Sequence, residues 1–598
     1  MVPTRIFDIL DEISSKYEKP DFFAERDGDG WKTYSIKDYV NYAHTIASAL
    51  LEIGLVEGDK VVTIMNNRPA WNFFDMGIML AHMIHVPVYP TLNKLEFEYI
   101  LNHCDCKCIV IGTEAIYKHV ASVISDVVQH PLVYSVDKIE GVANMDEIIK
   151  IGEQSREKWA ATIENNRKNI STDDTATIIY TSGTTGRSKG VMLTHKNICN
   201  NFYPIVRDYQ KLDYHAKMLS FLPLCHVYER TVNYHYQFMG VSHYYAKSLA
   251  TIGKDMHDMH ADGFCAVPRV FEMMYDKLYQ AGKNQTGIKK KIYYWAFDEA
   301  TKYDHYSKNP FYKLKISIAD KLVYSKWRDA LSGKDEMTVV SGGSSIPEKV
   351  IRLFTAAKVR VYEGYGLTET SPVIAVNHPK NNIIKFGCVG VILPTVQVKF
   401  AEDGEILTKG PCVMKGYYKD EALTKEVIDE DGWFHTGDIG TMVKDSQGEY
   451  LKITDRKKEI FKLSLGKYIA PQVIENKLQT SEFIDNLMVI GENEKFVSAI
   501  IVPSFKKIGD YLLSQNKQAP FSREEMTKSQ DVIDVIQKEV DKVNETLADH
   551  EKIKRFRLVP DVWDVSTGEL SQTLKLKRKV IYQKYDSLCR EIYYQTKE

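Results

Sequence analysis

Between residues 36 and 135 the apolar positions change period repeatedly. SIKDYVNYAHTIASALLEIGL (35–55) repeats apolar residues at helical spacing and ends near a glycine, which predicts an amphipathic helix. KVVTIMN, HVPVYP and KCIVIG are short, β-branched and apolar, which predicts strands covered on both faces. Such alternation predicts βαβ units and a mainly parallel sheet. The pattern resumes after 215 with KMLSFLP. It continues to MTVVSGGSSIPEKVIRLFTAAKVRVYEGYG (337–366), read as strand, glycine turn, helix and strand, with Tyr365 directly after that strand. The intervening stretch 276–335 is helical and rich in Lys, Tyr and Trp.

After 390 the character changes. TVQVKFAEDGEILTKG predicts a hairpin turning at Asp403-Gly404, with further short β segments to about 453. From 455 come a helix after Pro471, a hairpin LMVIGENEKFVSAIIV, a long helical stretch near 523–549 and the basic segment TLKLKRKVIYQKY. The expected architecture is α/β. A large N-terminal domain, 1–454, has βαβ-type sheets covered by helices, a helical insert at about 276–335 and a small β subdomain at about 390–454. A smaller, mobile α+β domain follows at 455–598.

Composition narrows the class. A length of 598 residues with 44% apolar and 26% charged positions fits a multidomain globular chain. The net charge of −2 gives no pull toward nucleic acid. Nine cysteines, few and odd in number, fit free thiols in a reducing compartment. HCDCKC (103–108) runs directly into IVIG and reads as the start of a buried strand, since no second Cys/His pair lies at zinc spacing nearby. The opening MVPTRIFDILDEISSKYEKPD carries acids where a secretory signal would be apolar, and the apolar stretch 72–90 holds Asp75, His82, His85 and two prolines. A cytoplasmic protein is expected. Peripheral membrane contact, for which the basic aromatic insert is the one suggestive surface, and a homodimer both stay open.

Three stretches concentrate chemistry. YTSGTTGRSKG (180–190) lies between two strand-like runs and packs hydroxyls and glycines around two cations. Such a loop can fold over a polyphosphate, its backbone N–H groups and hydroxyls donating and Lys189 adding charge. It is not an ordinary P-loop, because Ser188 and Gly190 stand where that pattern needs Gly and Ser/Thr. VYEGYGLTETSP (361–372) sets Tyr365 between glycines, suited to stacking on a purine, with Glu369 nearby as a hard oxygen ligand for Mg²⁺; taken alone, a core tyrosine followed by a turn accounts for the stretch equally well. HTGDIG (435–440) offers Asp438, whose two oxygens match a sugar diol, with a plain turn residue as the equal alternative.

These stretches, with PLCHVYER (223–230), SGGSSIP (341–347) and DRKKEIFKLSLGKYIAP, occur in the order seen in the adenylate-forming superfamily. The chain most resembles its long-chain acyl-CoA synthetases, over nearly its whole length and including VPRVFEMM at 267–274. The resemblance implies an AMP-forming ligase that joins a medium or long fatty acid to ATP and then to coenzyme A. It assigns Thr181, Ser182, Gly183, Thr184, Thr185, Gly186 and Lys189 to the β- and γ-phosphates. It assigns Gly342, Gly343, Ser344, Ser345, Glu363, Gly364, Tyr365 and Gly366 to the nucleotide, and Thr368 to the α-phosphate. Glu369 is implied as the Mg²⁺ ligand, Asp438 and Arg456 as ribose contacts, and His226 as a neighbour of the acyl carboxylate.

The C-terminal catalytic lysine falls on Lys575, with Lys577 and Lys579 as alternative registers. Asp455 is implied as a hinge, and Leu465, Gly466 and Lys467 as the loop presented to coenzyme A. The family often has Gly-Gly where this chain has Leu465-Gly466, and proline where it has Ser188. Two rivals differ in their predictions. A fatty acyl-AMP ligase would load a carrier-protein phosphopantetheine, and a decayed ATP-binding protein would have lost charged site residues. Lys189, Glu369, Asp438, Arg456 and Lys575 are all present. A luciferase-like oxidase would need oxygen chemistry that these motifs do not specify.

Overall fold

The computed structural model describes residues 2–181, 188–209, 211–248, 250–457, 459–464, 467–518, 520–571 and 575–594. Its core is two large sheets. One has eight strands and is centred on Lys60–Ile64, Ile84–Val88 and Cys106–Ile111, which pair in parallel with Val62 opposite both Val86 and Ile109. It continues to Thr175–Thr181, which turns back antiparallel as Lys189–Thr194. The other sheet has nine strands, with Lys217–Ser220, Ser242–Tyr245, Gly263–Ala266, Met337–Ser341 and Val359–Gly366 all parallel. The continuous apolar runs along these strands are explained by their burial on both faces.

The helix Pro69–Leu80 is buried all round, because its residues contact both sheets. It starts with proline at its first turn, where no intrahelical N–H is needed. Its one acid, Asp75, is 1% exposed and ion-pairs with Arg230, which is fully buried. Arg230 also donates to Thr177 Oγ1 (2.5 Å) and Tyr234 Oη (2.7 Å), while Tyr234 donates to Asp75 Oδ2 (2.6 Å). Burial pushes His85 down to about 4, so it is neutral and bonds Asp75 through Nδ1 (2.6 Å) and Thr63 through Nε2 (2.8 Å). This satisfied network fixes the helix Val227–Phe238 against the eight-stranded sheet.

The strand Val359–Gly366 runs through Tyr365 instead of ending before it. Glu363 still faces Ser341, but Gly364–Gly366 switch partner and pair antiparallel with Val373–Val376. Gly366 permits the switch: a Cβ there would lie 1.7 Å from the Pro372 carbonyl oxygen.

The β subdomain is an antiparallel sheet of Gln397–Phe400, Glu405–Lys409, Phe434–Asp445 and Gly448–Arg456. Its first hairpin turns at Asp403-Gly404, with Gly404 at φ +82°. The insert is helical from earlier than its composition suggested, as Pro268–Lys283, Gly287–Thr301, Pro310–Ala319 and Ser325–Leu331. Beyond 455, the hairpin Ile484–Ile490/Val497–Pro503 gains Ile553–Leu558 as a parallel neighbour. Alternation sends Leu487 and Val489 to one apolar cluster, with helices Pro471–Leu478 and Gln530–Asn544, and Met488 and Ile490 to another with the C-terminal helices. The helical stretch near 523–549 divides into Arg523–Lys528 and Gln530–Asn544, because Ser529 is extended between them.

All nine cysteines are free and buried. Among the described residues there is no metal-binding cluster of His, Cys, Asp or Glu, and no helix long and apolar enough to cross a membrane. Replacing Asp75 with alanine leaves the Arg230 charge buried without its partner. Urea unfolding of Asp75→Ala is expected to show about 3–5 kcal/mol lower stability, and Asp75→Asn a smaller loss.

Candidate active site

A cavity of about 1110 Å³ opens where both sheets, the β subdomain and the C-terminal segment meet. Thr181 and Lys189 line it from the two ends of the strand–loop–strand unit, and Ser182, Gly183, Thr184, Thr185 and Gly186 lie outside the described residues. Lys189 Nζ sits 5.2 Å from the centroid of the Tyr417 ring, whose hydroxyl donates to Glu369 Oε1 (2.8 Å). Cation, phenol and carboxylate therefore form one chain at this wall. Glu369 and the buried Thr368 belong to the 3₁₀ turn Thr368–Thr370, just past the strand switch.

Gly342 and Gly343 line the opposite wall, with Gly343 at φ +89°. Tyr228 lies beneath them: its hydroxyl donates to the Val340 carbonyl (3.0 Å), and its ring is 3.3 Å from where a Gly342 Cβ would stand. Gly364, Tyr365 and Gly366 complete this side. Ser344 and Ser345 are exposed and do not line the cavity, and the Ser345 hydroxyl accepts from Asn476 Nδ2 (2.7 Å). Glu363 is also away from it. Its carboxyl, pushed up to about 8 by burial, accepts from the Ile346 backbone N–H and so anchors the glycine turn.

Tyr365 Oη donates to Asp438 Oδ2 (2.8 Å), and Arg456 Nε approaches Asp438 Oδ1 at 3.3 Å. Asp438 and Arg456 face each other across the pair Phe434–Asp445/Gly448–Arg456. Burial raises the Asp438 carboxyl, which is 5% exposed, against the pull of Arg456. A Thr436 hydroxyl that accepts the Asp438 N–H (3.1 Å) fixes the turn.

His226 caps the helix Val227–Phe238, its Nδ1 accepting the Tyr228 N–H at 3.2 Å. Burial, and then the charge of Lys575, push it down to about 4. It is neutral, with Nε2 left to carry the proton and donate. Lys575 reaches the same space from the C-terminal segment. Its ammonium is pulled down to about 8, by burial first and then by the Arg456 charge, with Asp438 and Glu459 acting the other way. Its backbone N–H donates to Ser571 Oγ (3.0 Å). Lys577 and Lys579 also line the cavity.

Arg578 holds this segment in place through Glu475 (2.8 and 2.5 Å) and Glu459 (3.1 Å). The C-terminal part is seated on the rest by the Asn476–Ser345 bond, by Lys349 donating to the Thr480 carbonyl (2.8 Å) and by Lys507–Asp276 (2.6 Å). Asp455 is 3% exposed and raised to about 6 by burial; its Oδ1 accepts the Arg456 N–H (2.6 Å). Lys467 is exposed on the small hairpin Phe461–Lys462/Tyr468–Ile469, away from the cavity, and Leu465 and Gly466 lie outside the described residues. Tyr417, Tyr228 and the Arg578–Glu475 clamp escaped the sequence reading. Only Tyr228, two residues from His226, carried a local signal.

The sequence profile of AMP-binding enzymes matches residues 14–418, and that of the AMP-binding enzyme C-terminal domain matches 458–597. The chain belongs to the AMP-binding enzyme family. Among its relatives in that family, long-chain-fatty-acid–CoA ligase FadD15 of Mycobacterium bovis is 30% identical, over 94% of this chain and 92% of its own. Fatty acyl-CoA synthetase A of Dictyostelium discoideum is 30% identical, over 94% and 86%. The adenylation domain of a carboxylate reductase from Mycobacterium chelonae shares the AMP-binding enzyme fold, with a TM-score of 0.75 at 18% identity over 98% of this chain and 91% of that one.

A lysine at about 8 loses its charge as pH rises through that value. Single-turnover adenylate formation is expected to fall along this limb, and Lys575→Arg, where it retains activity, to move the fall above pH 10.

Proposed function

We infer that this AMP-binding enzyme activates a medium or long fatty acid with ATP and passes the acyl group to coenzyme A. The convergence of Lys575, His226, Asp438 and Tyr365 on one cavity carries this reading. Relatives named as long-chain-fatty-acid–CoA ligases, matched along nearly the whole chain, supply the substrate class.

In the first step a carboxylate oxygen attacks the α-phosphorus of ATP, the bond to pyrophosphate breaks, and an acyl-adenylate forms. Two anions must meet, so fixed charge and aimed donors carry the catalysis. Lys575 supplies the ammonium beside the reacting oxygens, and neutral His226 donates from Nε2 toward the acyl carboxylate. Asp438 takes the ribose hydroxyls, with Arg456 and the Tyr365 hydroxyl fixing its two oxygens. Thr181 and Lys189 hold the outer phosphates together with the loop 182–186, and Thr368 the α-phosphate. Gly342, Gly343, Gly364, Tyr365 and Gly366 form the adenine wall.

Glu369 is the residue that would hold Mg²⁺. One carboxylate, with one oxygen already bonded to Tyr417, suits an ion that keeps most of its waters and shares the rest of its shell with phosphate. When bound, the ion neutralises phosphate charge.

In the second step the thiol of coenzyme A attacks the acyl carbon, its proton is lost, and AMP leaves. We propose 1–454 as the platform and 455–598 as the part that turns about Asp455, withdrawing Lys575 and bringing the loop of Leu465, Gly466 and Lys467 to the cavity. A hinge needs backbone freedom at a few positions and no special chemistry.

Pyrophosphate release measured over fatty acids from C6 to C20 is expected to require an acid, and sustained turnover to require coenzyme A. No AMP from any acid would overturn this reading. Lys575→Ala is expected to slow adenylate formation by about 10²–10³-fold. It should leave thioester formation from a supplied acyl-adenylate unchanged in single turnover, and equal loss of both half-reactions would remove Lys575 from its role.

A further inference from the structure

The helical insert carries an apolar stripe turned to water. On the helix Pro310–Ala319 and its continuation Asp320–Tyr324, Phe311 is 81% exposed, Leu314 60%, Ile318 45% and Leu322 41%. Their spacing of three, four and four residues lines them along one face over about 16 Å. Isolated exposed apolar residues are ordinary, but an aligned row of four large ones is not. The opposite face accounts for the core: Ala319, Val323 and Tyr324 are buried there against the neighbouring helices.

Charge decides what the stripe fits. Residues 308–328 hold five lysines and one arginine against a single acid, Asp320. That acid lies off the stripe and is tied up by Arg328 (2.5 Å) and Lys358 (2.8 Å). Lys308, Lys313, Lys321 and Lys326 are exposed around the apolar row, and Lys315 is paired with Glu299 of the neighbouring helix (2.5 Å). The neighbouring helix Gly287–Thr301 repeats the combination at its start, where Ile288 is 76% exposed and is followed by three exposed lysines.

A protein partner of mixed charge would meet acids as well as bases on such a face. Large apolar side chains between lysine stems suit an interface whose outer layer is anionic and whose next layer is hydrocarbon. We propose that this face docks the enzyme on an anionic phospholipid bilayer, with Phe311, Leu314, Ile318 and Leu322 entering the acyl boundary and the lysines resting on the headgroup phosphates.

The test is co-sedimentation of the full chain with vesicles of phosphatidylcholine alone or mixed with phosphatidylglycerol, without ATP or fatty acid. Binding to the mixed vesicles, weakened by salt, is expected. Phe311→Ser with Leu314→Ser and Ile318→Ser is expected to lower the partition coefficient at least tenfold. Each of Lys313→Gln and Lys321→Gln is expected to lower it by about fivefold, and only on anionic vesicles. The variants should keep the parent's circular dichroism, melting temperature and AMP formation from a short soluble acid, which separates lost docking from misfolding. Absence of binding by the parent, or a triple variant that binds as well as the parent, would overturn the proposal. So would a concentration-dependent dimer abolished by the same variant with no vesicle binding, which would give the face to a second copy of the chain. Docking is read without turnover, so its failure and that of the catalytic assignment are separate results.

Discussion

A cation removed from water sets the terms for the whole site. Lys575 enters a cavity where burial works against its charge, and the acids nearby restore only part of that charge. Such a group is strongly felt by an anion brought beside it, because little solvent remains to screen the pair. Burial also neutralises His226, so one wall offers a cation and the adjacent one a neutral donor. Two positive groups side by side would repel; a cation next to a neutral imidazole does not.

Holding that arrangement falls to groups outside the reaction. The buried Asp75–Arg230 network fixes the helix that starts at His226, and the Arg578–Glu475 clamp fixes the segment that carries Lys575. Both are charge pairs satisfied by further hydrogen bonds, the condition under which buried ions are tolerated. The Gly366 approach to Pro372 performs a similar service with sterics alone, since it lets one strand leave its sheet and deliver Tyr365 toward Asp438.

Much of this was legible in the chain itself. Period changes marked the parallel strands, and polar residues set among or just past glycines marked Tyr365, Thr368, Glu369 and Asp438, because backbone that must switch partner or turn sharply advertises itself locally. What stayed hidden depends on distant partners. Tyr417 meets Glu369 across 48 residues, and Arg578 meets Glu475 across 103. No spacing rule connects such positions. Glu363 shows the converse: it sits inside a conspicuous motif, yet it braces a turn from behind. Ser345, in an equally conspicuous motif, is occupied by Asn476.

The ties that seat the C-terminal part, Asn476 to Ser345, Lys349 to the Thr480 carbonyl and Lys507 to Asp276, are polar contacts of a kind water can replace. Parting them uncovers little oil. Contacts of that sort can be exchanged for water without the fold on either side coming undone.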